Sequence, residues 1–299
     1  MDRLLAMQVF VRVVEANGFT RAAESLKMPK ASVTTLIQQL ESRLGIKLLN
    51  RTTRHVSVTA DGAAYYERCV RILADVEETE QSLGHVRRAP AGRLRVDVPA
   101  SIGRTLFAQA LPGFFVRYPE IKLEMGCTDR PIDLLEEGVD CVVRGGTLPD
   151  SGYVARRVGE LEMITCATPS YLAQFGVPAT PEDLASHRHI NYFSSKTGKI
   201  FEFDFERDGA KVSFAAEGPI AVNDSNAYLA LGLTGLGIMQ IPRYAVREEL
   251  AKGELVQVLP EWRSEPIPLH VLYPQNRHLS NKVRVFVDWV AEIFADLEQ

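Results

Sequence analysis

The sequence predicts an α/β protein headed by a mainly α domain, and three features of its 299 residues carry that prediction. Apolar residues recur at helical spacing through the first 44 positions, and a heptad seam without proline follows. Beyond residue 92 short apolar strands alternate with helical stretches. One core rarely organises more than ~100–150 residues, so at least two packing units are expected. The divisions are a mainly helical head at 1–59, a connecting helix and hinge at 60–91, and a two-lobed region at 92–299. One lobe is built from 92–162 and 268–299, the other from 163–267.

The first helix follows from Leu4, Met7, Phe10, Val11 and Val14, and Asn17-Gly18 ends it with residues that tolerate a left-handed backbone. Thr20 is a cap for a second helix, Thr20 to Leu26, whose paired Ala22 and Ala23 mark a close helix crossing. Pro29 suits the first turn of a third helix, Pro29 to Leu44, stopped by Gly45. Val33, Ile37, Leu40 and Leu44 form its buried stripe. Ala31, Thr34, Thr35, Gln38 and Ser42 lie opposite, short uncharged groups suited to base edges in a major groove. Two short strands around Thr52-Thr53-Arg54 then read as a wing, completing a winged helix-turn-helix. The candidate DNA contacts are Lys30, Thr34, Thr35 and Gln38 on the helix and Arg51, Thr53 and Arg54 on the wing. Its alternative is a solvated basic hairpin.

Charge supports the same face. The whole chain carries a net −4, but residues 1–59 hold nine Lys/Arg against four Asp/Glu, so a phosphate-binding surface belongs at the N-terminus.

From Ala60 to Arg87 the positions Tyr65, Cys69, Ile72, Val76, Thr79, Leu83 and Val86 alternate spacings of four and three. This is a heptad seam, and a lone helix with such a seam needs a partner. Tyr65, Cys69, Ile72, Val76 and Leu83 are the dimerisation candidates. Ala89-Pro90-Ala91-Gly92 breaks the pattern as a hinge.

Beyond it, Arg93 to Val98, Ile121 to Met125 and Asp140 to Arg144 read as strands. Helices are expected from about Gly103 to Tyr118 and over Ile132 to Glu137. The alternation argues a parallel α/β sheet with ligands at its carboxyl ends. A second such unit begins near Met163, Gly235 to Pro242 supplies a turn and strand within it, and Leu269 to Tyr273 returns to the first. Val283 to Leu297 closes the chain as an amphipathic helix.

Several classes are excluded by what the composition lacks. No apolar run approaches the ~20 residues of a membrane span. The N-terminal stretch interrupts its apolar residues with Gln8 and Arg12 and has no cleavage site, so a cytoplasmic location without membrane association is expected. Cys69, Cys127, Cys141 and Cys166 lack metal-ligand spacing and read as small buried apolar residues, with redox sensing as the alternative. His187-Arg188-His189 reads as a solvated loop. No nucleophile elbow, P-loop, dinucleotide fingerprint or His-Glu-x-x-His is present, so no enzyme chemistry and no cofactor is expected.

Phe10 to Leu26, Leu40 to Arg54 and Thr59-Ala60-Asp61-Gly62 together resemble the first helices, recognition-helix exit, wing and linker of LysR-type transcriptional regulators. The resemblance covers residues 1–87. Pro29 stands where that family usually has a capping Ser, and Thr35 where it often has Arg. Thr128-Asp129-Arg130, the run Asp133 to Asp140, Gly235 to Ile238 with Pro242, and Gly253 to Val256 extend the resemblance to the family's two-lobed effector domain, similar to periplasmic solute-binding proteins.

The resemblance implies sequence-specific binding to double-stranded DNA at an interrupted dyad, a homodimer or homotetramer, and RNA polymerase as a further partner. It also implies a small organic effector between the lobes, lined by Ser101, Thr128, Arg144, Phe193 and Asn223. The effector is expected to be an anion, drawn by the helix start after Ser101 and by Arg144. Each lining residue has a second reading: Ser101 as a helix cap, Arg144 as the partner of an acid, and Thr128, Phe193 and Asn223 as loop structure. An architectural DNA-binding protein that senses nothing is the rival reading.

Overall fold

The computed structural model describes residues 2–51, 56–83, 89–146, 152–215, 218–275 and 279–297. It divides into two compact units, Met1–Arg88 and Ala89–Gln299.

The first unit opens with α1 (Arg3–Glu15), capped by Asp2, whose carboxylate accepts the Leu4 and Leu5 N–H at 3.0 and 3.2 Å. Asn17 takes the expected left-handed φ, 49°. α2 (Phe19–Leu26) starts earlier than expected: Gly18 precedes it without a side-chain cap, so Thr20 lies inside the first turn. α3 (Lys30–Leu44) instead begins one residue later than expected, after Pro29, whose ψ of 136° is extended, and ends at Gly45 with φ 72°. Val33, Ile37 and Leu40 are buried with Ala6, Val9, Phe10, Val13, Ala22 and Ala23. Leu44 was expected in that stripe but is 38% exposed. Glu41 turns inward instead, because its carboxylate accepts the Leu48 and Leu49 N–H at 2.9 and 3.2 Å and so ties α3 to the chain entering the wing.

Strands β1 (Leu49–Arg51) and β2 (Val56–Val58) pair antiparallel, Leu49 opposite Val58 and Arg51 opposite Val56. α4 (Ala60–Leu83) follows, its Gly62 N–H donating to Thr59 Oγ1 at 2.9 Å. Gly62 is required by packing, since a Cβ there would collide with the Leu48 carbonyl oxygen. The expected continuation to Arg87 lies outside the described residues.

The second unit holds two lobes. In chain order the first contributes β3 (Gly92–Val98), a continuous helix α5 (100–117) and β4 (Ile121–Cys127). Within α5, Ala100–Ile102 and Ala108–Arg117 are α-helical and Gly103–Phe107 is π-helical. It continues with α6 (Leu134–Glu137), β5 (Cys141–Gly145) and β6 (Tyr153–Leu161). The second lobe carries β7 (Met163–Ala167), α7 (Pro169–Phe175), β8 (Ile190–Tyr192), β9 (Phe203–Arg207) and β10 (Ala210–Phe214). It ends with β11 (Ile220–Val222), α8 (Ser225–Leu233), β12 (Met239–Pro242), α9 (Arg247–Lys252) and β13 (Val256–Val258). Then β14 (Ile267–Pro274) and α10 (Asn281–Leu297) return to the first lobe.

The first sheet has the order β4-β3-β5-β14-β6. β3 runs parallel to β4 and β5, but β14 lies antiparallel to β5 and β6. The sheet is therefore mixed, not parallel as expected: β14 arrives from the other lobe and enters in the opposite direction. Phe107, Phe114, Phe286 and Trp289 join α5 and α10 over it, with ring centroids 4.9–6.2 Å apart. The second lobe is more divided: an antiparallel β12-β7-β13 sheet, a parallel β8/β11 pair and a β9/β10 hairpin.

Three cysteines are buried and Cys127 is exposed, departing from the reading of all four as core residues. The histidine loop is not solvated either. His187 is buried with Nδ1 3.2 Å from the Tyr171 hydroxyl, and His189 is buried against Phe203 and Phe214. No described helix is long and apolar enough to cross a membrane.

Candidate functional site

Two sets of residues concern function, one in each unit. In the first, α3 turns its buried stripe to α1 and α2 and leaves Lys30, Thr35 and Gln38 exposed and Thr34 half-buried. Thr34 and Thr35 donate their hydroxyl protons back to the Lys30 and Ala31 carbonyls, both at 2.9 Å. Their oxygens therefore offer lone pairs outward while their methyl groups stay available for contact, which suits amino-group donors and thymine methyls in a major groove. Arg51 ends β1 on the wing, whereas Thr53 and Arg54 lie outside the described residues.

The dimerisation candidates separate. Cys69 is 0% exposed and belongs to the head's own core, and Tyr65 packs against Phe10 with centroids 5.5 Å apart. Burial pushes the Tyr65 hydroxyl up to about 12 and the Cys69 thiol up to about 11. Tyr65 and Cys69 thus face their own chain, a correction to the seam, because α1 covers that side of α4. Ile72 is 40% exposed and Val76 half-buried; the side chain of Leu83 lies outside the described residues.

In the second unit Arg144 takes the alternative reading rather than the anion-binding one. On β5, it meets Asp97 of the adjacent β3 at 2.5 Å, with side chains only 16% and 8% exposed. Its other guanidinium nitrogen donates to the Val143 carbonyl at 2.8 Å. Burial raises the Asp97 carboxyl above its ordinary range, against the opposing pull of Arg144. Gly126 makes room for that carboxylate, since a Cβ there would collide with it. Arg144 is a neutralised charge.

Ser101 is buried between the lobes and does not cap a helix: its N–H donates to Ser225 Oγ at 3.0 Å, and its hydroxyl lies 2.7 Å from that of Tyr244. Burial raises the Tyr244 hydroxyl, with the Ser101 hydrogen bond opposing. Thr128 gives its N–H to the Val98 carbonyl at 3.0 Å and accepts the Arg130 N–H at 3.3 Å. Phe193 gives its N–H to Val222 at 2.9 Å and forms a bridge with Ile200. Asn223 is exposed, its carbonyl accepting from the Tyr192 hydroxyl at 3.1 Å.

Sequence reasoning missed Asp97, Asp129, Tyr192, Ser225 and Tyr244. Asp97 carried one usable signal, an acid between Val96 and Val98 at the end of a strand that is otherwise apolar there. The other four come from distant segments and only folding brings them to one place.

Two family profiles match the chain: bacterial regulatory helix-turn-helix protein, lysR family, over residues 4–63, and LysR substrate binding domain over residues 87–295. It is 42% identical to an uncharacterized HTH-type transcriptional regulator, YhjC, of Escherichia coli (strain K12), covering 99% of each chain. It is 40% identical to an HTH-type transcriptional repressor of Pseudomonas aeruginosa (strain UCBPP-PA14), covering 99% of this chain and 93% of that protein. Among solved structures it matches CrgA, a LysR-type transcriptional regulator from Neisseria meningitidis. That match has a TM-score of 0.62 and 32% identity, covering 97% of this chain and 98% of the other.

Proposed function

The chain belongs to the LysR-type family of transcriptional regulators, pairing a helix-turn-helix DNA-binding domain with an effector domain, and on that premise we propose how its own residues divide the work. Thr34, Thr35 and Gln38 read base edges from the first and middle turns of α3, while Lys30 and the wing residues Arg51, Thr53 and Arg54 hold the phosphate backbone or minor groove. The observation that carries this reading is the outward face of α3, where both threonine hydroxyl protons are already bonded to the helix backbone.

Ile72, Val76 and Leu83 line the seam between two chains of a homodimer or homotetramer, and the operator is an interrupted dyad. A small organic effector enters between the two lobes near Ser101, Thr128, Phe193 and Asn223 and shifts the population of DNA-binding states. The protein works in the cytoplasm, with RNA polymerase as a further partner, and carries out no catalysis of its own.

Binding titrations on operator and random DNA at several salt concentrations test the base reading. Gln38→Ala should change the preference at one position by about 1–3 kcal/mol, whereas Arg51→Ala should weaken all sequences alike and flatten the salt dependence. Equal losses on both DNAs for Gln38→Ala would remove α3 from base recognition.

A further inference from the structure

Asp129 follows β4 in the first lobe and places one carboxylate oxygen on each lobe. Oδ1 accepts the Ala100 N–H at the start of α5 (3.0 Å), and Oδ2 accepts the Ser225 N–H at the start of α8 (2.5 Å). The Tyr192 hydroxyl of the second lobe sits beside the same carboxylate, and burial together with that charge raises its pKa. Around the bridge the lobes are also joined by Ser101 to Ser225 and Tyr244, and by Arg104 Nε to Asn226 Oδ1 at 2.9 Å.

A carboxylate shared between two backbone amides, each where helix dipoles favour negative charge, has the chemistry of a bound anionic ligand. Here the chain supplies that anion itself. Arg144, the other group expected to attract an anion, is paired with Asp97.

We propose that Asp129 is the specificity-determining residue of the cleft. It stands where the carboxylate of a small organic acid would bind, so such an acid reaches the Ala100 and Ser225 amides only by displacing it. Removing the side chain converts the place into a receptor for a simple monocarboxylate. The inference rests on the reading of this cleft as the effector site, which a metabolite thermal-shift screen of the wild-type chain tests separately.

The deciding experiment needs no knowledge of the natural effector. The full chain carrying Asp129→Ala is melted with sodium acetate or with sodium chloride at equal ionic strength. Losing two charge-assisted hydrogen bonds should lower the melting temperature by about 5–10 °C. About 100 mM acetate, but not chloride, should recover a few degrees of that loss by mass action, while the wild type shows no difference between the salts. Asp129→Asn, which fills the space but turns a donor toward one of the amides, should melt below the wild type and ignore acetate. An Asp129→Ala variant that melts like the wild type, or that gains no more from acetate than from chloride, overturns the proposal. Should Asp129→Ala fail to fold in either salt, wild-type melting of Asp129→Asn overturns it and a lowered, acetate-insensitive melting supports it.

Discussion

At Arg144 the decisive quantity is solvent exposure. A guanidinium 16% exposed against a carboxylate 8% exposed is neither a surface ion pair nor a charge free to receive a ligand. Removing one member of such a pair leaves the other desolvated and alone, which costs more than the pair itself contributes. Arg144→Ala should therefore destabilise the effector domain by ~3 kcal/mol in urea unfolding, through the stranded Asp97. Arg144→Ala with Asp97→Asn should recover a good part of that loss. Equal stability of the single variant and the wild type would show that water reaches Asp97 freely.

The elements are held by contacts of two kinds, close backbone approach and capping. α4 approaches the wing through Gly62, where no Cβ fits beside the Leu48 carbonyl. Gly62→Ala should push the helix away and cost about 1–3 kcal/mol, read as a lower melting temperature and weaker DNA binding. A capping box opens the 3-10 turn Pro181–Ser186, where the Asp183 carboxylate accepts the Ala179 and Thr180 N–H at 2.8 and 2.9 Å. These two bonds, that to Thr180 first, hold the Asp183 pKa below its ordinary 3.8. A depressed folded pKa means a contribution fully present above the unfolded value and lost as pH falls through the folded one. The stability gap between wild type and Asp183→Asn should accordingly be constant near neutral pH and close below about pH 4. A gap unchanged down to pH 2 would exclude the carboxylate as its source.

Across the whole molecule, charge and the proposed pairing of chains bear on how the protein meets DNA. The head is basic within an acidic chain, so long-range attraction selects the end that faces DNA. In the proposed dimer the pairing of chains sets the spacing of half-sites, and Ile72, exposed on α4, is the residue on which that proposal can be tested. Ile72→Glu should reduce the sedimentation coefficient and abolish preference for a two-half-site operator. Wild-type sedimentation with intact operator binding would move the interface elsewhere.

By itself the sequence determined the helix-turn-helix, the wing, the long connecting helix and the two lobes. Local periodicity, Gly45 and the break at Pro90 encode these within a few residues of chain, and the resemblance to a known family rested on the same local runs. What only the tertiary structure decided were questions of partner. Heptad spacing could not say that α1 had already claimed Tyr65 and Cys69, since a seam looks the same whether its own chain or another covers it. A strand-end arginine could not announce Asp97, 47 residues earlier in the chain. Nor could a turn-forming Asp129 announce its bond to Ser225, 96 residues away. Hydrogen bonds and ion pairs act over about 3 Å and ignore sequence separation, so which charges are free and which are already paired is settled only when the chain has folded.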